Sequence, residues 1–370
     1  MNKAGIYIHV PFCASKCAYC DFYSQVRSDA VRENYVRALV NGIEHCESDV
    51  SVRSVYIGGG TPSVLSAEQL VRTLSAVRSR FEVDEGAEIT VEMNPENVSG
   101  TLVRALVENG VGRVSMGVQS FVDGELSLLG RKGSAEVCET AFETLRNRGV
   151  ENISLDLMLA IPSQTEKTLA YSLEKTLSLR PEHISAYLLK VEKNTIFGRC
   201  GVTEADEDIQ RALYLQTCET LEDAGYEHYE ISNFAKKGFR SVHNSSYWQG
   251  VPYLCFGCGA SGFDGVRRYK YGVSVDEYIR SDGLVLPETE EILNGKDLLG
   301  ERIMLSLRTS DGVSGSFLTA AQIRFLKSLE SAGLTIETPG GFRLTDEGFL
   351  LSNTIILKCT RGHNTRSKRS

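Results

Sequence analysis

The chain has 370 residues, 42% of them hydrophobic and 24% charged, with a net charge of −8 and ten cysteines. That length suits one large domain and a smaller one. The negative balance speaks against a general nucleic-acid binder, no run of eighteen apolar residues exists to span a membrane, and ten cysteines are too sparse for a disulfide scaffold.

Met1 leads directly into a strand pattern with no apolar signal segment, so a reducing, cytoplasmic setting is expected. Ile6-Tyr-Ile-His-Val-Pro11 alternates β-formers until Pro11 stops the pairing. Residues 29–46 carry Val31, Tyr35, Ala38, Leu39 and Ile43 at helical spacing. Ser54-Val-Tyr-Ile57 reads as a second strand ending in Gly58-Gly-Gly-Thr-Pro62, and Ser66 with Gln69 forms a capping-box pattern for the next helix. Glu88-Ile-Thr-Val-Glu92 is a third strand, followed by a helix over 100–109 that stops at Gly110. Strands over 111–119, 153–159 and 184–191 alternate with helical patterns over 135–148 and 166–179. Six β-then-α units in about 190 residues imply a parallel sheet covered by helices. An open sheet is one solution, but no dinucleotide fingerprint accompanies it. A partial barrel, with its site at the C-terminal strand ends, fits better.

Past Glu192 the alternation stops, and an acidic helix over 205–224 completes a first unit, 1–225. Residues 226–296 read as a connecting segment rich in glycine and aromatics. Residues 297–359 hold two amphipathic helices, Gly340-Gly-Phe-Arg-Leu344 and a last apolar helix, an order that suggests a small winged-helix-like unit. Residues 360–370 form a basic, polar tail with the composition of a disordered segment.

Cys13, Cys17 and Cys20 stand at C-x3-C-x2-C spacing just after the first strand. Strain disfavours disulfides between such near neighbours, so a shared metal centre is the natural use. Zinc wants four protein ligands, and His9 sits awkwardly for the fourth. A four-iron cluster on three thiolates leaves one iron open to a small molecule. Spacing leaves the cluster, zinc and free thiols all standing. The three glycines let backbone approach a ligand, or simply make a tight turn. Glu92 at a strand end can accept two hydrogen bonds from a diol or an ammonium group, or be a solvated acid. Gln119, Arg131 and Asp156 belong to neighbouring strand ends or loops, as ligand groups or as a polar network of the rim.

The cysteine loop, with Tyr19 before its last thiol, resembles the radical S-adenosylmethionine (SAM) superfamily. The longer string from Tyr7-Ile-His-Val-Pro-Phe-Cys13 to Cys20-Asp-Phe22 is similar to the branch of anaerobic coproporphyrinogen III oxidases and HemW-type heme chaperones. The resemblance implies a partial (β/α)6 barrel and a [4Fe-4S] cluster on Cys13, Cys17 and Cys20. It further implies that the open iron chelates SAM and that one electron cleaves the sulfonium to a 5′-deoxyadenosyl radical. Gly59, Gly60 and Thr61 match the motif that receives the SAM amino group, and Glu92 matches its glutamate motif. Gln119, Arg131 and Asp156 carry over as SAM-region ligands that serve a second SAM in the oxidases. Tyr7 and Tyr19 match positions flanking cofactor. The loop Ala160-Ile-Pro-Ser-Gln164 departs from the usual Gly-Leu-Pro-Gly-Gln.

His243-Asn-Ser-Ser-Tyr-Trp248 resembles the His-Asn-x-x-Tyr-Trp pattern linked to heme in the HemW branch, which points to His243, Asn244, Tyr247 and Trp248; a lone histidine otherwise anchors a loop. Ser261 stands where a family loop usually carries histidine. Cys255 and Cys258 read as ordinary buried thiols, and Cys46, Cys138, Cys200, Cys218 and Cys359 as structural ones. The oxidases have a further cysteine two residues past the third and a longer segment before the first strand. Here Asp21 and Phe22 follow Cys20. The expectation is therefore a chaperone that binds heme as cargo and hands it to acceptor proteins, with an electron donor such as flavodoxin and no coproporphyrinogen oxidase activity. The rival from another class is a zinc-stabilised binding protein without radical chemistry.

Overall fold

A computed structural model describes residues 2–360. Fifteen strands run in chain order: β1 (Asn2–Val10), β2 (Val50–Gly59), β3 (Glu82–Met93), β4 (Arg113–Gln119), β5 (Asn152–Leu159), β6 (His183–Leu188), β7 (Glu227–Glu230), β8 (Asn233–Ala235), β9 (Tyr253–Phe256), β10 (Ser261–Phe263), β11 (Arg267–Lys270), β12 (Glu288–Ile292), β13 (Val313–Ser314), β14 (Thr335–Thr338) and β15 (Gly341–Leu344). β1 to β6 are sequential parallel neighbours, joined by helices that include Asp29–Glu44, Ala67–Arg80, Gly100–Glu108, Ala135–Asn147 and Glu166–Leu179. This is a partial (β/α)6 barrel. The helices start where side chains accept the first free amides: Ser66 and Gln69 form the expected reciprocal box, and Ser99 and Ser134 cap their helices.

Side-chain alternation sorts the sheet into two chemistries. One face, with Ile6, Ile8, Val55, Ile57, Val91, Val114, Ile153, Leu155 and Ile184, is buried in the main apolar core with the helices. The other face, aligned by the strand register, presents Tyr7 and His9, Ser54 and Tyr56, Thr90 and Glu92, Arg113 and Ser115, Ser154 and Asp156, and His183 and Ser185. That polar row lines the inside of the barrel.

Residues 226–296 are not a connector. They supply both edges of one twelve-stranded sheet, with β8 and β7 antiparallel beside β6 and with β9 parallel to β1, continued by β10, β11 and β12. Their short strands escaped sequence reading because none is long enough to show a period. The C-terminal unit begins at the helix Gly295–Ser306, capped by Asn294 and Asp297, and adds the helix Ala320–Ser328, the sheet β13-β15-β14 and the helices Asp346–Leu350 and Ser352–Thr360. Thr360 closes that last helix, so the expected tail is shorter by one residue, and 361–370 lie outside the described residues.

Candidate functional site

The candidate centre sits at the C-terminal ends of β1 to β5. Cys13, Cys17 and Cys20 are free thiols, each partly exposed, in the loop leaving β1. Backbone bonds fix this loop from two sides. Cys13 N donates to Gln25 O (3.1 Å) and Gln25 N to Pro11 O (2.8 Å), while Ala18 N donates to Leu129 O (2.9 Å) and Phe197 N to Ala18 O (2.9 Å). Two side chains aim donors at sulfur: Thr61 Oγ1 lies 3.5 Å from Cys13 Sγ and Arg131 Nη1 lies 3.9 Å from Cys17 Sγ. Donors around thiolates are what a negatively charged thiolate centre needs.

His9 is not available as a fourth ligand. Its Nε2 donates to Tyr23 O (2.9 Å), its Nδ1 accepts from Tyr7 Oη (3.0 Å), and burial lowers its pKa, which keeps it neutral. With His9 engaged, the three thiolates of the loop suit a cluster with one open iron better than a zinc site closed by four protein ligands.

The glycine motif clamps this loop to β2 and β3. A Cβ on Gly60 would stand 2.5 Å from Phe12 O, and one on Gly59, whose φ is +114°, would stand 2.5 Å from the His9 ring. Three of its amides are committed: Gly59 N to Glu92 Oε2 (3.1 Å), Gly60 N to Val10 O (2.8 Å) and Thr61 N to Phe12 O (2.7 Å). These three positions can offer a ligand acceptors, not amides. Glu92 also accepts from Tyr56 Oη at 2.8 Å. Burial, reinforced by repulsion from Asp156, pushes its pKa up to about 7, with Tyr56, the Gly59 amide and the Arg113 cation opposing. A carboxylate so placed calls for positive charge or additional donors.

Arg131, with only 6% of its side chain exposed, ties three elements together. It donates to Asn94 Oδ1 (3.0 Å) after β3 and to Gly117 O (2.6 Å) on β4, besides facing Cys17. Asp156 accepts from Ser115 Oγ (3.1 Å) deep in the lumen, and burial raises its pKa. Gln119 ends β4 in a left-handed conformation, φ +72°. Tyr7 stacks on Tyr56, and Tyr19 packs on the apolar cluster of Leu129, Met158, Ile161, Leu189 and Phe197. Asn94, two residues past Glu92 in the same motif, joins this network, and so do Tyr56 and Arg113, which no sequence motif singles out. The available signal is strand parity, since Tyr56 and Arg113 fall on the inward positions shared with Glu92 and Asp156.

The His243 motif lies at the opposite end. It forms the helix Val242–Trp248, whose first amides, from Val242 and His243, bond to the Glu88 carboxylate at 2.9 Å each. His243 is 1% exposed; its ring stacks on Tyr56, and its nitrogens meet Ser54 Oγ (3.0 Å) and Tyr247 Oη (2.7 Å). Burial and the Arg113 charge lower its pKa to about 3. Gly5, Ser54 and Glu88 are in register two residues before Tyr7, Tyr56 and Thr90, so this helix closes the barrel interior from below the mouth. In this fold His243 is a neutral, buried histidine with both nitrogens engaged. Asn244 and Trp248 on that helix are partly buried, and Tyr247 also borders a cavity of about 150 Å³ with Tyr253, Arg268 and Glu301.

A sequence model of the radical SAM superfamily matches residues 7–175. A curated relative from Lactococcus lactis, named heme chaperone HemW, is 34% identical over 364 residues, covering 95% of this chain and 96% of its own. One of the same name from Bacillus subtilis is 35% identical over 371 residues, covering 94% and 97%. The solved structure of coproporphyrinogen III oxidase from Escherichia coli, titled a radical SAM enzyme, superposes with a TM-score of 0.83 at 22% identity, covering 97% of this chain and 90% of that one.

Proposed function

Because the chain belongs to the radical SAM superfamily and, within it, to the HemW family, we propose that it is a heme chaperone, binding heme and passing it to acceptor proteins. The observation that carries this reading is similarity over nearly the full length of two relatives of that name. The loop agrees with it, since Cys20 is followed by Asp21 and Phe22 and not by the oxidases' extra cysteine. Family membership implies a [4Fe-4S] cluster and SAM. In our reading Cys13, Cys17 and Cys20 hold the cluster, with Thr61 and Arg131 donating to the thiolates. Gly59, Gly60 and Glu92 receive SAM, with Tyr7, Tyr19, Gln119 and Asp156 bordering it. When bound, the cluster supplies the electron that cleaves the sulfonium, and a one-electron donor such as a flavodoxin replenishes it. The setting we assign is the cytoplasm; among the described residues no helix is long and apolar enough to cross a membrane.

For heme itself, the apolar rim of the cysteine loop is the favoured landing surface: Phe22 and Val26 are 68% and 62% exposed, with Tyr23 beside them. The test is an anaerobic hemin titration of cluster-loaded protein, followed by transfer to an apo heme protein. About one heme per chain is expected. Phe22→Asp should weaken it about tenfold, the scale of losing one apolar side chain's burial. Protoporphyrinogen formed from coproporphyrinogen with SAM and reductant would overturn the reading. So would heme affinity no greater than that of an unrelated acidic protein.

A further inference from the structure

Cys218 reads from sequence as one of the scattered structural cysteines. In the fold it faces two residues from different elements. His228 lies on the edge strand β7, and Asp346 opens the helix Asp346–Leu350 of the C-terminal unit. One ligand atom from each of Cys218, His228 and Asp346 lies within 4.8 Å of the other two, and Cys218 and His228 are buried. Nothing in the SAM or heme reading uses this cluster.

The shortest contact sets the tautomer of His228: Nδ1 donates to Asp346 Oδ1 at 2.7 Å, while Nε2 lies 3.4 Å from Tyr214 Oη, whose own proton goes to Ile231 O (2.9 Å). The imidazole and the carboxylate thus already face one another, and the thiol of Cys218 converges on the same point, so a metal ion would take the place of the proton the pair shares. Stacking of the ring on Phe234 (centroids 4.2 Å apart) holds Nδ1 in place.

We propose that Cys218, His228 and Asp346 hold a divalent metal ion, zinc by the chemistry of the donors, that fastens the C-terminal unit to the barrel. A thiolate, a neutral imidazole and a carboxylate balance a dication, and one thiolate with nitrogen and oxygen suits zinc rather than magnesium or calcium. Three protein donors leave a fourth position for water. The Asp346 side chain keeps 32% exposure, which gives the ion a path from solvent.

The test is element-specific and uses full-length, cluster-loaded protein. Zinc is counted beside iron after dialysis in zinc, and zinc K-edge EXAFS identifies its neighbours. The expectation is about one zinc per chain with one sulfur near 2.3 Å and the rest nitrogen or oxygen near 2.0–2.1 Å. Cys218→Ser should remove the sulfur shell, and the more exposed Asp346→Asn should lower zinc affinity at least tenfold while iron content is unchanged. Less than about a tenth of a zinc per folded chain would overturn the proposal in favour of a plain histidine–aspartate hydrogen bond. A shell of three sulfurs would place the metal in the cysteine loop and also overturn it.

Discussion

Glu92 gives a direct check on the electrostatics of the barrel mouth. Its pKa of about 7, against an ordinary 4.5, means that the ligand-free fold holds a proton more tightly than the unfolded chain. The sign follows from linkage. The favourable contribution is complete below pH 4.5 and is lost as pH rises through 7, so above that the ionised group costs about 3 kcal/mol. Glu92→Gln removes the charge while keeping an acceptor for Tyr56, although its amide also faces the Gly59 N–H. The SAM-free variant should therefore be more stable than the parent at pH 8, by about 1–3 kcal/mol. SAM affinity should move the other way. Only the ionised carboxylate serves a cationic, donor-rich ligand, and with a pKa near 7 about ten in eleven copies are protonated at pH 6 but about one in eleven at pH 8. SAM binding by the parent should accordingly tighten about tenfold from pH 6 to pH 8, relative to the variant, which controls for titration of SAM itself. Anaerobic equilibrium dialysis at pH 6, 7 and 8 with thermal unfolding measures both. Parallel pH profiles in the two proteins, or a variant less stable at pH 8 that keeps full SAM affinity, would refute the argument.

Replacing Cys13, Cys17 and Cys20 together by alanine should take iron from about four per chain to none and remove the broad absorbance near 400 nm; retained iron would exclude this loop as the cluster site. Gly60→Ala must move Phe12 or the glycine backbone, costing about 1–3 kcal/mol and lowering iron retention, whereas Gly225→Ala, with no heavy atom within 4 Å of the added Cβ but a positive φ, should destabilise without lowering it. His243→Ala should lose about 2–4 kcal/mol by stranding the Ser54 and Tyr247 hydroxyls, yet the heme absorption spectrum of the folded fraction should not change. A shifted heme spectrum would restore His243 as a ligand. Arg131→Lys keeps charge but loses the fork that joins Asn94, Gly117 and Cys17, and should accelerate cluster loss at unchanged initial loading.

Local chemistry determined much of this protein. Alternating strands and capped helices from Ile6 to Leu179 dictate a parallel sheet, because each apolar face is complete within its own segment, and three cysteines in eight residues need no folding to be neighbours. The placement of 226–296 was decided otherwise. Strands of three to five residues carry no period of their own, so only pairing with β1 and β6 made them sheet. The same holds for His243. Its motif is legible as a motif, but which end of the barrel it meets depends on Glu88 and Ser54, more than 150 residues upstream. Tyr56 and Arg113 became site residues through lumen parity, and Cys218, His228 and Asp346 converge only because the C-terminal unit docks on β7 and its neighbouring helix. Sequence supplies donor types and local spacing; distances between remote side chains exist only after the core has fixed the register of the strands that carry them.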